Sequence, residues 1–203
     1  KIREELEVAR TLGLVTIKPR LGTQVQAYDF TPAAAVSVLY ALGLDRAHFQ
    51  QYATLRKQVE LAFWHEAVSQ LTPEDIETLR ELMRKAEIKL SHRPVEVPFN
   101  EHRDLHMTFF KHLDNAFVQG ILNAYWIAYK AFGLALHANL GYHREVWAYH
   151  QKMVDCVAQG QIDESWKALK EHMELLRRMP DAAVGEAAKE DANEKIITHH
   201  FFE

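Results

Sequence analysis

Twelve histidines in 203 residues are a surplus that asks for an explanation, and four of them share a pattern. His106 has His102 one turn before it and Phe109 and Phe110 after it, while His102 itself has Phe99 and Leu105 at helical spacing. His150 is flanked by Val146, Trp147, Met153 and Val154, and His172 by Ala168, Leu169, Leu175 and Leu176. All four therefore lie on apolar, core-facing stripes, spread over three predicted helices. A buried imidazole without a partner costs about 1–3 kcal/mol, and a divalent ion would satisfy several at once. His102 and His106, at i and i+4, share one face and can reach one ion, and His150 and His172 can complete the shell inside a bundle. Taken singly, each also reads as a core histidine bonded to a neighbour, and spacing leaves both readings open.

Arg56 is the other candidate. It sits among Tyr52, Val59, Phe63 and Trp64 with Glu60 one turn later. One reading is an i, i+4 ion pair, worth about 0.3–0.5 kcal/mol on a surface. The other is a guanidinium reaching into the interior to fork onto a carboxylate ligand. His143, one heptad before His150, is a substitute ligand for it. His65 has apolar neighbours but no second ligand on its helix. His48, His92 and His112 read as surface or helix-end residues, and His199 and His200 as tail. The stretch Tyr125–Tyr129 with Phe132 reads as core, part of it available to wall a pocket.

These side chains need long helices to carry them, and 8 glycines and 6 prolines are few enough to allow that. Apolar residues at 2, 6, 9 and 12 predict a first helix, stopped by Gly13. Leu14–Arg20 and Gln24–Tyr28 predict two strands around a turn at Leu21-Gly22-Thr23. A helix followed by a basic-tipped hairpin is the trailing half of a winged helix-turn-helix. From Thr31 onward only helices are predicted. The first is Pro32 to Leu42, stopped by Gly43, and the second is capped by Asp45 and runs through Gln70. A third begins at the signal Thr72-Pro73-Glu74-Asp75 and reaches about Leu90. A two-proline linker, 91–98, precedes four more near 99–113, 116–138, 142–158 and 163–178, with Pro180 closing the bundle. The expected architecture is mainly α: an antiparallel bundle of six to seven helices after a winged-helix remnant. The expected divisions are 1–30, 31–180 and a tail, 181–203, whose apolar end suits docking.

Net charge is −4, from 24 basic and 28 acidic residues, which excludes a uniformly basic nucleic-acid coat. The first 22 residues nevertheless hold five basic and three acidic side chains, the sign expected of a DNA-facing end. Cys156 is the sole cysteine, which rules out an internal disulfide and fits a reducing compartment. No apolar run approaches the roughly 20 residues of a membrane span, and no signal-peptide pattern opens the chain. A cytoplasmic protein is expected, and the missing initiator methionine is what a fragment would show.

In order and spacing, several stretches resemble the GntR family of bacterial transcription regulators, in the branch with a FadR-type C-terminal effector domain (FCD). Arg3-Glu4-Glu5-Leu6 through Gly13-Leu14-Val15, then Pro19-Arg20-Leu21-Gly22-Thr23-Gln24-Val25, resembles the end of its winged helix. Leu55-Arg56-Lys57-Gln58-Val59-Glu60 resembles the "R..LE" of the effector domain's first long helix. Leu105-His106 to Asp114-Asn115 resembles a further motif, and Tyr149-His150, Gly160-Gln161-Ile162-Asp163 and Glu171-His172-Met173 resemble its closing pattern. The likeness runs over about 1–178.

The resemblance implies an all-helical antiparallel domain. Metal-binding members hold a Zn²⁺- or Ni²⁺-type ion with one Asp and three His, the Asp four residues before the first His. Matched position by position, the histidines are His106, His150 and His172, and the Asp position falls on His102. Four imidazoles still suit Zn or Ni but disfavour harder, oxygen-seeking ions. Glu101 and Asp104 are close in sequence but out of phase. The family's arginine matches Arg56, implying that a small carboxylate effector bridges ion and guanidinium. Arg3, Lys18 and Arg20 would face operator DNA, contacting phosphate rather than bases, in a homodimer. The implied function is a ligand-responsive transcriptional regulator without enzymatic activity. Two rivals are a helical-bundle metalloenzyme acting on a small carboxylate, against which no carboxylate is in register as a base, and a sensor for which the ion itself is the signal.

Overall fold

The computed structural model describes residues 2–131 and 140–175. Phe132, Leu176, the stop at Pro180 and the tail with His199 and His200 lie outside them, as do the last turns expected of the helices 116–138 and 163–178. A short helix, α1 (Ile2–Thr11), precedes an antiparallel hairpin of β1 (Val15–Lys18) and β2 (Gly22–Val25), in register Val15 opposite Val25 and Lys18 opposite Gly22. Seven helices follow among the described residues: α2 (Thr31–Leu44), α3 (His48–Val68), α4 (Pro73–Ser91), α5 (Phe99–Phe109), α6 (Ala116–Ala131), α7 (Leu140–Ala158) and α8 (Ile162–Leu175). The mainly helical architecture with a two-stranded wing is the one expected.

Local chemistry accounts for the boundaries, including those that differ from expectation. Pro19 has no N–H to extend the ladder, and Arg20 adopts φ 67°, so the strands are shorter than 14–20 and 24–28. Gly43 does not stop α2, which continues to Leu44. Asp45 does not cap α3. Its Oδ1 accepts from Ala47 N at 2.8 Å, shaping a turn, and the helix starts at His48. At α4 the expected signal is fully realised as a capping box. Asp75 N donates to Thr72 Oγ1 at 3.2 Å, Thr72 N donates to Asp75 Oδ2 at 3.0 Å, and Pro73 occupies the first turn. Helix α5 ends at Phe109, four residues early, in tight turns that bury Phe110 and Leu113. Asn115 Oδ1 then accepts from Phe117 N and Val118 N to open α6.

Helix α7 packs against α8 and α4, α3 against α8 and α6, and α2 against α6. The three-residue connection between α7 and α8 makes those two antiparallel neighbours. The main core gathers Trp64, Leu79, Leu105, Phe109, Met153 and Leu169, and a smaller one gathers Leu42, Phe49, Tyr125, Trp126 and Tyr129. Polar tips within this core find partners on other helices. Trp64 Nε1 donates to Ser165 Oγ at 2.8 Å, and Trp166 Nε1 to the Leu61 carbonyl at 3.0 Å, fastening α8 to α3. Tyr52 Oη donates to the Ile121 carbonyl at 2.9 Å, fastening α3 to α6. Gly120 lets α6 approach the start of α2, since a Cβ there would sit 2.6 Å from Phe30 Cβ. No described helix is long and apolar enough to cross a membrane.

Candidate metal and effector site

The four-histidine pattern converges. His102 and His106 from α5, His150 from α7 and His172 from α8 each offer one ring nitrogen, and these four atoms lie within 4.8 Å of one another. His106 Nε2 is 3.2 Å from His150 Nε2, and the His150 and His172 ring centroids are 4.4 Å apart. A tetrahedral shell with Zn–N bonds of about 2.0–2.1 Å sets nitrogens about 3.3 Å apart. The His106–His150 pair is already at that spacing, and none of the four atoms is more than 4.8 Å from another. His106, His150 and His172 are buried and His102 is half-buried.

The cluster fits a borderline divalent ion on two further observations. His102 Nε2 and His172 Nδ1 are buried with no hydrogen-bond partner among the described residues, an uncommon condition in a folded interior. Burial, joined by the charges of Arg56 and neighbouring histidines, holds all four imidazoles well below the usual histidine range. They are therefore neutral and keep the lone pairs a metal needs.

Arg56 forms the i, i+4 pair with Glu60, and its guanidinium reaches into the interior. Its Nε donates to Glu60 Oε1 at 2.6 Å, so the i, i+4 pair exists, but it is buried rather than on the surface. The guanidinium carbon lies 4.2 Å from the Tyr125 ring centroid and 4.7 Å from that of Trp126, and Nη2 is buried without a hydrogen-bond partner. Burial opposes the charge, but Glu60 and Tyr125 more than offset it, so the guanidinium stays ionised. Its Nε is engaged by Glu60, while Nη2 has no hydrogen-bond partner among the described residues.

Glu60 is the residue the sequence reading missed. Fully buried, it takes Arg56 on Oε1, and its Oε2 lies 2.9 Å from His106 Nδ1. In register along its own helix Glu60 belongs to Arg56, and only the α3–α5 packing brings it to His106. Burial pushes its carboxyl upward, with Arg56 pulling against that. The "R..LE" spacing was the one signal that could have found it.

The aromatic stretch does line the site: the Trp126 ring is 4.8 Å from that of His102 and 5.5 Å from that of His106. His150 rather than His143 is the α7 member of the cluster. His143 is buried two turns earlier and, with His102, Tyr129 and Trp147, lines a cavity of about 10 Å³, room for about one water. Glu101 and Asp104 stay outside, paired with Lys89 and Arg103. His65 bonds Asp163, His48 bonds the Asp45 carbonyl, and His112 bonds Asp75. Arg3, Lys18 and Arg20 are exposed on α1 and the hairpin, away from this interior site.

The FCD domain model matches residues 51–175, the segment that carries Arg56, Glu60 and all four histidines. No curated protein matches the chain. A solved structure of a transcriptional regulator (GntR family member) from Pseudomonas syringae pv. tomato str. DC3000 is similar, at 14% identity and a TM-score of 0.50. The similarity covers 85% of this chain and 65% of that one, so the chain spans just under two thirds of that protein's length, and at that identity the likeness is one of fold.

Proposed function

We propose, from the premise that this chain belongs to the FCD domain family and has the fold of a GntR-family structure, that it is the ligand-sensing part of a DNA-binding transcriptional regulator. On this reading residues 31–180 form the effector domain and residues 1–30 close a winged helix. His102, His106, His150 and His172 hold a divalent ion, Zn or Ni by their chemistry, and Arg56 pairs with the carboxylate of a small effector. When bound, the ion supplies positive charge and a coordination position for that carboxylate. Arg56 orients the same group through its open edge, while Trp126 and Tyr125 exclude water. Effector binding then biases the arrangement of two winged helices in a cytoplasmic homodimer. Exposed Arg3, Lys18 and Arg20 suit phosphate contact. Exposure of Ile2, Val8, Ile17 and Val25 on α1 and the hairpin supports a winged helix whose remaining elements cover them.

The observation that carries this reading is the meeting of four imidazoles from three helices. The double variant His106→Ala, His150→Ala is expected to lose stoichiometric metal by elemental analysis, and unchanged metal content would refute the assignment. Glu60 gives the metalloenzyme reading its one support. Both of its oxygens are already engaged, which favours a positioning role over that of a base.

A further inference from the structure

We infer that Glu60 is a positioning residue shared by the two halves of the site: one carboxylate fixes the tautomer of His106 and the orientation of Arg56 together. The geometry carries this. Glu60 Oε2 accepts from His106 Nδ1 at 2.9 Å, and Oε1 accepts from Arg56 Nε at 2.6 Å. A neutral imidazole has one N–H, so donating from Nδ1 leaves the lone pair on Nε2, the atom that faces His150 Nε2 at 3.2 Å. The same carboxylate takes Nε of Arg56 and leaves Nη2 without a partner. The guanidinium plane is pinned between Glu60 and the rings of Tyr125 and Trp126, its free edge fixed in direction. Hydrogen bonding to the far nitrogen of a ligating histidine sets its tautomer and basicity. Here the group that does so also aims the anion-binding arginine, so cation and anion sites share a single hinge point.

A glutamine at this position cannot do both jobs. It has one acceptor oxygen and one donor nitrogen, facing two N–H groups. Arg56 cannot give up its proton, so the amide oxygen goes to Arg56 and the NH₂ turns toward His106. His106 must then accept at Nδ1 and carry its proton on Nε2, the atom needed for coordination. Size and fold are preserved while the lone pair is moved to the wrong side of the ring.

Two measurements test this on the chain as it stands. In metal-free protein, long-range ¹H–¹⁵N spectra read the His106 tautomer, its signal assigned by its loss in His106→Asn. Nδ1–H is expected in the wild type and in Glu60→Asp, and Nε2–H in Glu60→Gln. Zinc affinity, by competition with a chromophoric chelator, is expected to fall about 10–100-fold in Glu60→Gln and less in Glu60→Asp. Only the affinity arm rests on the proposed ion site. A wild type that binds no zinc defeats that proposal and leaves the tautomer arm to decide this one. Nε2–H in the wild type, or a folded Glu60→Gln with unaltered tautomer and zinc affinity, overturns it. Should Glu60→Gln not fold, the wild-type tautomer alone is decisive.

Discussion

Two carboxylates, Asp75 and Glu60, are almost equally screened from solvent, Asp75 near the surface and Glu60 deep inside, and the fold treats them differently. Asp75 receives Lys111 Nζ at 2.7 Å on Oδ1, and Thr72 N, Thr72 Oγ1 and His112 Nε2 on Oδ2, the last at 2.6 Å. Its donors reach outward, with the side chain of Lys111 mostly exposed. Both oxygens have donors, and the donors themselves reach the surface. Glu60 receives Arg56 and His106, both buried, and beyond them the network stops at the unmatched atoms Arg56 Nη2 and His172 Nδ1. A polar cluster that closes on itself is a fastening for the fold. One that ends in open valences has been left incomplete in a place where incompleteness is costly, the signature expected of a site built for something else to enter.

Breaking the inner cluster should cost most. Arg56→Met strands Glu60 as a buried, uncompensated charge and is expected to destabilise by about 3–5 kcal/mol in urea denaturation. Adding Glu60→Leu should recover most of that loss, because an apolar pair replaces an ionic one of similar size. A double variant no more stable than the single one would contradict the contrast.

At the outer cluster the expected loss is smaller. Asp75→Ala removes the acceptor of the capping box and of two cationic side chains, for about 1–3 kcal/mol. Burial works against the Asp75 charge, but the bonds from Lys111, Thr72 and His112 outweigh it and hold the carboxyl well below the usual range. A carboxyl depressed in the folded state contributes stability that is fully present above its unfolded value, near pH 4, and is lost as pH falls toward the folded one. The wild type should therefore lose stability below about pH 4 more steeply than Asp75→Ala. Parallel acid-unfolding curves for the two proteins would remove Asp75 from this role. The least change is expected for Lys111→Ala, under about 1 kcal/mol, because three other donors still hold Asp75.

The two clusters also differ in how far the sequence discloses them. The four histidines are legible because each announces itself on its own helix: i, i+4 spacing and apolar neighbours at three and four residues are local signals. Thr72-Pro73-Glu74-Asp75 is legible for the same reason. Glu60 is not, since its second partner, His106, is 46 residues away and helical phase speaks only of the helix it is read from. His112 was read as a helix-end residue, which it is, but its bond to Asp75 spans 37 residues and left no local trace. The end of α5 was misjudged because Phe110 and Leu113 continue the apolar rhythm while already turning inward. Asp45 and Gly43 depart from expectation locally: α2 runs one residue past Gly43, and Asp45 Oδ1 accepts from Ala47 N in a turn instead of capping α3.

Helix α6 touches both ends of the molecule's business. Near its start, Gly120 lies against Phe30, and Phe117 meets the rings of Tyr28 and Phe30 at 5.7 and 5.4 Å. Two turns on, Tyr125 and Trp126 press against Arg56 and the histidines. Six residues of α-helix span about 9 Å, and the rod between them has no interior proline to soften it. One unbroken helix therefore carries both the seat of the strap that joins hairpin to bundle and a wall of the histidine cluster.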